Sequence, residues 1–216
     1  AELRVQRKVL PFSKNKIVEV HGFSDASEAA YGACVYIRSV SENDDVSVVL
    51  LTSKSRVSPL KRQSIARLEL CGALLLARLM SKVVNSLKLS VPFSTYCWTD
   101  STIVLCWLQK PANSWKTFVA NRVSEIQSLT SVSDWRHVNT HGNPADCLSR
   151  GVLPSELFTL DIWWHGPSWL QELAPVYTDF VANDSSSGNI EAKASLNVLF
   201  AKVQLPELER FSSFTK

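Results

Sequence analysis

The sequence is poor in features that several protein classes require. No apolar run approaches the roughly 18–20 residues of a membrane span, and the N-terminus lacks an apolar signal core. A chain that neither crosses a membrane nor is secreted is expected. Among its 216 residues are only 4 His and 5 Cys, with no Cys-x-x-Cys pair. Cys34, Cys71, Cys97, Cys106 and Cys147 are widely spaced and mostly sit in apolar stretches, where cysteine acts as a small buried hydrophobe. Reduced thiols in a cytoplasmic compartment fit this usage; a zinc site does not. Serine-hydrolase and phosphate-loop signatures are missing, as is any internal repeat. Charge of one sign is not in large excess either: 23 Lys and Arg against 20 Asp and Glu leave +3. That excludes a uniformly basic nucleic-acid coat but not a local basic face.

What is present is a globular composition, 45% hydrophobic and 20% charged, long enough for one or two domains and a sizeable core. Residues 1–16 hold Arg4, Arg7, Lys8, Lys14 and Lys16 against Glu2 and read as a basic extended arm. Residues 17–23, 29–37 and 46–52 are short runs rich in β-branched and aromatic residues, separated by polar clusters, and predict three successive antiparallel strands with a hairpin loop over 41–45. Residues 64–87 give the strongest helical signal. Ile65, Leu68, Leu75, Leu79 and Val83 fall at helical spacing, and Leu74, Leu76 and Met80 widen the apolar surface until most of the circumference must be buried.

A fourth strand is expected over 93–99, and a short helix capped by Ser101 or Thr102 runs to Pro111. Another helix over 115–129, a fifth strand over 132–138 and a short helix over 144–150 complete the pattern. Three antiparallel strands followed by α-β-α-α-β-α make an α/β fold, a five-stranded mixed sheet with helices on both faces. This catalytic-domain candidate spans 17–151. Residues 152–182 read as an extension packed on or near it, and 183–216 as a linker and the start of a further region, since 183–188 is polar and Gly/Ser-rich.

Four carboxylates occupy suggestive places: Asp25 closes the first strand, Glu69 lies in the buried helix, Asp100 ends the fourth strand, and Asp146 begins the last helix. A strand-end Asp alone is usually a turn former or cap. If the first and fourth strands are parallel neighbours, however, their C-terminal ends meet, and a carboxylate on the packed helix reaches the same spot. Glu69 could instead be paired with Arg67, Arg62 or another base, because ionised Glu is almost never buried alone. Clustered carboxylates raise one another's pKa, a cost that divalent cations remove, and without His or Cys they suit Mg²⁺ or Mn²⁺.

The segments Gly22-Phe23-Ser24-Asp25-Ala26-Ser27, Arg67-Leu68-Glu69-Leu70, Thr99-Asp100-Ser101 and Asn143-Pro144-Ala145-Asp146-Cys147-Leu148-Ser149-Arg150 resemble the ribonuclease H domain of long-terminal-repeat retrotransposon Pol polyproteins. Lys54-Ser55-Arg56-Val57-Ser58-Pro59 and Trp163-Trp164-His165-Gly166-Pro167-Ser168-Trp169-Leu170 narrow the resemblance to the BEL/Pao group, over roughly residues 17–170. The resemblance implies a ribonuclease H fold and an endonuclease cutting the RNA strand of RNA/DNA hybrids in reverse transcription, with 5′-phosphate products. It implies two Mg²⁺ ions, with Mn²⁺ as substitute, held by Asp25, Glu69, Asp100 and Asp146, Asp25 bridging them. It also implies an intracellular setting in a retrotransposon particle, with reverse transcriptase and integrase regions of the same polyprotein as neighbours; the sequence around 211–216 resembles the approach to the integrase.

Two features depart from the family pattern. The His often found in a flexible loop before the last Asp has two candidates: His141, five residues before Asp146 and next to Gly142, and His137 in the expected strand. His141 is favoured on mobility to assist proton transfer or product departure. Residues 111–114 leave no room for the basic helix that some relatives use to grip the hybrid. A partial replacement lies in 54–67, where Lys54, Arg56, Lys61, Arg62 and Arg67 occur without a single acid; residues 17–151 hold 14 basic against 11 acidic residues. The stretch is either a solvated loop or a contact to hybrid phosphates. Trp98, Trp107, Trp115 and Trp135 either stack on nucleotides or pack in the core.

Three alternatives stand beside the hydrolase. A catalytically silent hybrid-binding or scaffold module gains nothing from clustered carboxylates. An integrase-like nuclease expects its Glu on a late helix, and an aspartic protease expects Gly after the Asp-Ser/Thr pair at Asp100-Ser101-Thr102.

Overall fold

The computed structural model describes residues 8–89, 91–177, 180 and 191–193. Five strands form one mixed sheet: β1 (Asn15–Ala26), β2 (Ala30–Ser41), β3 (Val46–Val57), β4 (Ser94–Thr99) and β5 (Trp135–His137), in the order β3-β2-β1-β4-β5. β1 pairs antiparallel with β2 and parallel with β4, and β5 is parallel to β4. The expected neighbourhood of the first and fourth strands is therefore present. The hairpin between β2 and β3 is closed by Ser41, whose Oγ accepts from the Asn43 and Asp45 N–H groups, with Asp44 in the left-handed region at φ 70°.

Some expected boundaries move. The first three strands are each longer than their β-branched runs, because pairing continues wherever a partner backbone runs alongside. β3 extends through Lys54 and Arg56, which are strand residues and not part of a basic loop. The fifth strand shrinks to three residues, since 132–134 form a 3₁₀ turn. The last helix of the expected domain, α4 (Asp146–Ser149), begins two residues after Pro144.

On one face lie α1 (Ile65–Ser86), α2 (Thr102–Gln109) and α3 (Thr117–Leu129). Ser64 caps α1, accepting from the Arg67 N–H, and Leu68, Leu70, Ala73, Leu74, Leu75, Leu76, Ala77 and Met80 are buried, so the helix is enclosed nearly all round. Trp107, Trp115 and Trp135 belong to this core, and Trp98 to that on the other face. All four indoles are at most 4% exposed, which removes them as stacking platforms. The second face is covered by α4, α5 (Pro154–Leu157), α6 (Asp161–His165) and a 3₁₀ turn at Ser168–Gln171, with Trp163 and Leu170 buried against Phe23, Tyr36 and Trp98.

A buried polar cluster ties that layer down. The Arg38 guanidinium, 1% exposed, donates to the carbonyls of Leu170, Glu172 and Leu173 and to Glu19 Oε2. The Trp98 indole donates to His21 Nδ1 at 3.1 Å, which requires that nitrogen to be unprotonated. Burial likewise holds the His21 pKa below its ordinary value, so the ring is neutral and its Nε2 proton faces Glu19. Burial would raise the Glu19 pKa, but His21 and Arg38 outweigh it and the net shift is downward. The basic arm lies in part outside the described residues, at 1–7, as do the linker of 183–188 and the integrase-like 211–216. Within the described residues, Lys14 and Lys16 pair with Glu42 and Asp44 of the hairpin loop.

Candidate metal centre

Asp25 lies at the C-terminal end of β1, and its parallel neighbour β4 delivers Asp100 one residue past Thr99. The third carboxylate comes from α1, which must approach the sheet closely for Glu69 to reach. Gly72, one turn further along, makes this possible: a Cβ there would stand 3.0 Å from the Asp25 backbone oxygen. Asp25, Glu69 and Asp100 each offer an oxygen within 4.8 Å of the others. Glu69 is not neutralised by the bases weighed for it, since Arg67 pairs with Glu191 at 2.8 Å and Arg62 with Glu28 at 3.2 Å.

The electrostatics are those of an uncompensated acidic cluster. Burial, with the Asp25 and Asp100 charges behind it, pushes the Glu69 pKa up to about 9 against a smaller opposing pull from Arg150. Burial also raises Asp25 to about 6, the Ser149 hydroxyl opposing and the Asp100 and Asp146 charges adding to the rise. Glu69 Oε2, Asp100 Oδ1 and Asp146 Oδ1 are buried and lack a hydrogen-bond partner. Buried acceptors are rarely left so, and those of Glu69 and Asp100, with an Asp25 oxygen within 4.8 Å, fit a hard, oxygen-seeking cation such as Mg²⁺ or Mn²⁺.

Asp146 stands slightly apart. It acts electrostatically on Asp25 but is not one of the three mutually close oxygens. Arg150 Nε pairs with its Oδ1 at 2.5 Å, so this oxygen, unlike those of Glu69 and Asp100, has a cationic partner. His141 is exposed on the 3₁₀ turn Thr140–Gly142, with its backbone N–H held by Asn139 Oδ1, and its imidazole makes no hydrogen bond or ion pair among the described residues. His137 Nε2 donates to the Asp100 carbonyl at 3.2 Å, which puts it nearer the cluster than strand packing suggests.

Lys54 and Arg56 are exposed and, two residues apart on β3, share a face; opposite them stand Ala33 and Tyr31 of the α1-side core. Lys61 and Arg62 are exposed in the β3–α1 connection. Arg67 is not available in the same way, being held by Glu191 and lying 4.8 Å from the Phe118 ring centroid.

Residues unassigned from sequence also matter. Ser149 Oγ donates to Asp25 Oδ2, and Asn143 Nδ2 to the Ser24 carbonyl. Both lie in the Asn143–Arg150 motif, whose spacing alone does not say which neighbour each would touch. A groove along the outer edge of β3, lined by Val48, Leu50, Phe158 and Trp164 among others, lies away from the carboxylates.

The strand order β3-β2-β1-β4-β5, with β1 antiparallel to β2 and parallel to β4, is that of a ribonuclease H-like fold. More narrowly, residues 1–101, which carry Asp25, Glu69 and Asp100, match the model of the family described as Pao retrotransposon-like RNaseH-like domain. No curated protein matches the chain. Among solved structures, the N-terminal ribonuclease H domain of a Mycobacterium tuberculosis protein is 15% identical with a TM-score of 0.41, over 62% of this chain and 91% of that one. A ribonuclease H1 from Halobacterium salinarum is 16% identical with a TM-score of 0.37, over 62% and 94%. A further ribonuclease H1, solved in complex with an RNA/DNA hybrid, is 12% identical with a TM-score of 0.41, over 65% and 99%. No helix of the described residues is long and apolar enough to cross a membrane.

Proposed function

We propose that this domain is a metal-dependent endonuclease that hydrolyses the RNA strand of RNA/DNA hybrids during retrotransposon reverse transcription. The observation that carries the reading is the trio Asp25, Glu69 and Asp100, with ligand oxygens within 4.8 Å and two of the three residues retaining orphaned buried acceptors. Asp25, Glu69, Asp100 and Asp146 would hold the two cations. Divalent ions bound there supply the charge that lowers the pKa of an attacking water and offsets the charge developing on the departing 3′ oxygen.

The chain's own residues do the rest. Glu69, one of the trio, is assigned contact with the 2′-hydroxyl, the group that separates RNA from DNA. Lys54, Arg56, Lys61 and Arg62 present positive charge to the phosphate backbone beside the acidic centre. His137 contacts the Asp100 backbone, and His141 lies on the turn that precedes α4. His141, whose imidazole is unengaged, is assigned proton transfer or product departure, while His137 braces the Asp100 backbone. The setting this implies is intracellular, in a retrotransposon particle, with reverse transcriptase and integrase as neighbours in the polyprotein.

The test is cleavage of an end-labelled hybrid by the chain, with Mg²⁺, Mn²⁺ or chelator, beside Asp25→Asn and Asp100→Asn. Metal-dependent cutting of the RNA strand alone, lost in both variants, is expected. Metal-saturated hybrid binding without any cutting would replace the enzyme by a silent binding module.

A further inference from the structure

We infer that Ser149 is a positioning residue for Asp25, setting the orientation in which that carboxylate receives metal; the inference rests on the hydrolase reading of the site. Ser149 ends α4 and is 1% exposed. Its Oγ lies in hydrogen-bonding contact with Asp25 Oδ2 and 3.1 Å from the Asp146 carbonyl. A hydroxyl has one proton, and an anionic carboxylate competes for it better than a neutral amide oxygen. Asp25 therefore takes it.

Ser149 is itself held from several sides. Its carbonyl accepts from Ser27 Oγ at 2.6 Å, and Ser27 Oγ in turn accepts the Ala29 and Ala30 N–H groups at 3.1 and 3.2 Å. The β1–β2 turn that follows Asp25 thus grips the backbone of the residue that grips Asp25. One residue earlier, Leu148 is seated over Gly32, where a Cβ would come within 2.3 Å of the Leu148 Cβ. Gly32 is the β2 partner opposite Asp25, so α4 is pressed against the sheet at that same rung. Asn143 fastens the entry to α4 by its 2.9 Å bond to the Ser24 carbonyl.

A carboxylate free to turn about its last torsion must lose that freedom when a cation binds. A donor fixed on Oδ2 removes the loss beforehand and leaves the remaining lone pairs for the cation. Outer partners of this kind typically change metal affinity or activity by about 10- to 100-fold.

The test is calorimetric titration of the full chain with Mn²⁺ in the absence of hybrid. Wild type should bind and Asp25→Asn should not. Ser149→Ala and Ser149→Cys, which remove the strong donor at similar or smaller volume, should bind about tenfold more weakly, and Ser149→Thr, which keeps the hydroxyl, should stay closer to wild type than either. Metal-free melting temperatures should be unchanged in the Ala variant, and its hybrid KM should hold while its lost kcat returns at high Mn²⁺. A merely structural serine would not yield to metal in that way. Ser149→Ala binding Mn²⁺ as wild type does, or binding weakly only because it melts early, would overturn the inference while leaving the hydrolase reading intact. A wild-type chain that takes up no Mn²⁺ would overturn both.

Discussion

Glu69 is a half-buried carboxyl group facing two others, and its ordinary acidity does not survive there. With a pKa near 9 it is protonated at neutral pH in metal-free protein, and Asp25 at about 6 is largely ionised. Both values are raised above those of the unfolded chain, so the folded state binds more protons and each group's stabilisation is lost as pH rises through its folded pKa. Metal-free wild type should therefore melt at progressively lower temperature from about pH 4 to about pH 9, and saturating Mg²⁺ should flatten the decline. Glu69→Gln mimics the protonated acid: its melting temperature should match wild type near pH 4 and exceed it by a margin that grows up to about pH 9. A thermal melt series in chelator measures this. At one pH near neutrality, Asp100→Asn and Asp25→Asn should abolish cleavage yet leave the metal-free melting temperature unchanged or raised, because each removes repulsion among uncompensated charges. A marked drop would assign these residues a structural ion-pair role.

At the scale of elements, the site depends on how closely α1 lies to β1. Gly72→Ala would place a methyl 3.0 Å from the Asp25 backbone oxygen, a neighbour that cannot turn aside. Alanine gains up to about 1 kcal/mol in helix propensity, but overpacking costs about 1–3 kcal/mol. A net loss in the urea midpoint is expected, together with weaker Mn²⁺ uptake as Glu69 is displaced. β3 and the connection after it carry a different prediction. Lys54, Arg56, Lys61 and Arg62 replaced together by Ala should weaken hybrid binding similarly across sequences and flatten its salt dependence by up to about 0.9 per lost phosphate contact, while cleavage at saturating hybrid survives. Filter binding at several salt concentrations checks it. Unchanged affinity with collapsed turnover would remove the clamp from this edge. Arg67 is left out because Glu191 already holds it.

For the whole molecule, the second face of the sheet matters as much as the first. Arg38, Glu19, His21 and Trp98 are buried beneath residues 154–177, and three carbonyls of that segment receive the Arg38 guanidinium. A chain ending at residue 151 would leave this guanidinium short of acceptors and uncover Tyr36, Trp98 and Phe23, an aromatic surface that promotes association. It should aggregate or lose its cooperative melt, whereas a chain ending at residue 193 should remain monodisperse on size exclusion. Equal stability of the two would place the domain's end at 151.

Periodicity in the sequence determined the element order and the burial of α1, since Leu68, Leu75 and their neighbours leave that helix no solvated side. Element order also made it predictable that Asp25 and Asp100 should meet, because three antiparallel strands and a helical crossover return the fourth strand beside the first. Other features were settled only by packing. Lys54 and Arg56 look like loop residues by charge, but an edge strand tolerates them because one side faces water. Arg38 is buried because carbonyls 132 to 135 residues away surround its donors. Arg67 is spent on a carboxylate 124 residues distant, and Ser149 finds Asp25 across the same separation. Local pattern encodes which face of an element is apolar; which polar groups meet across more than a hundred residues is decided by the packing of whole layers, and here that packing orients the carboxylates.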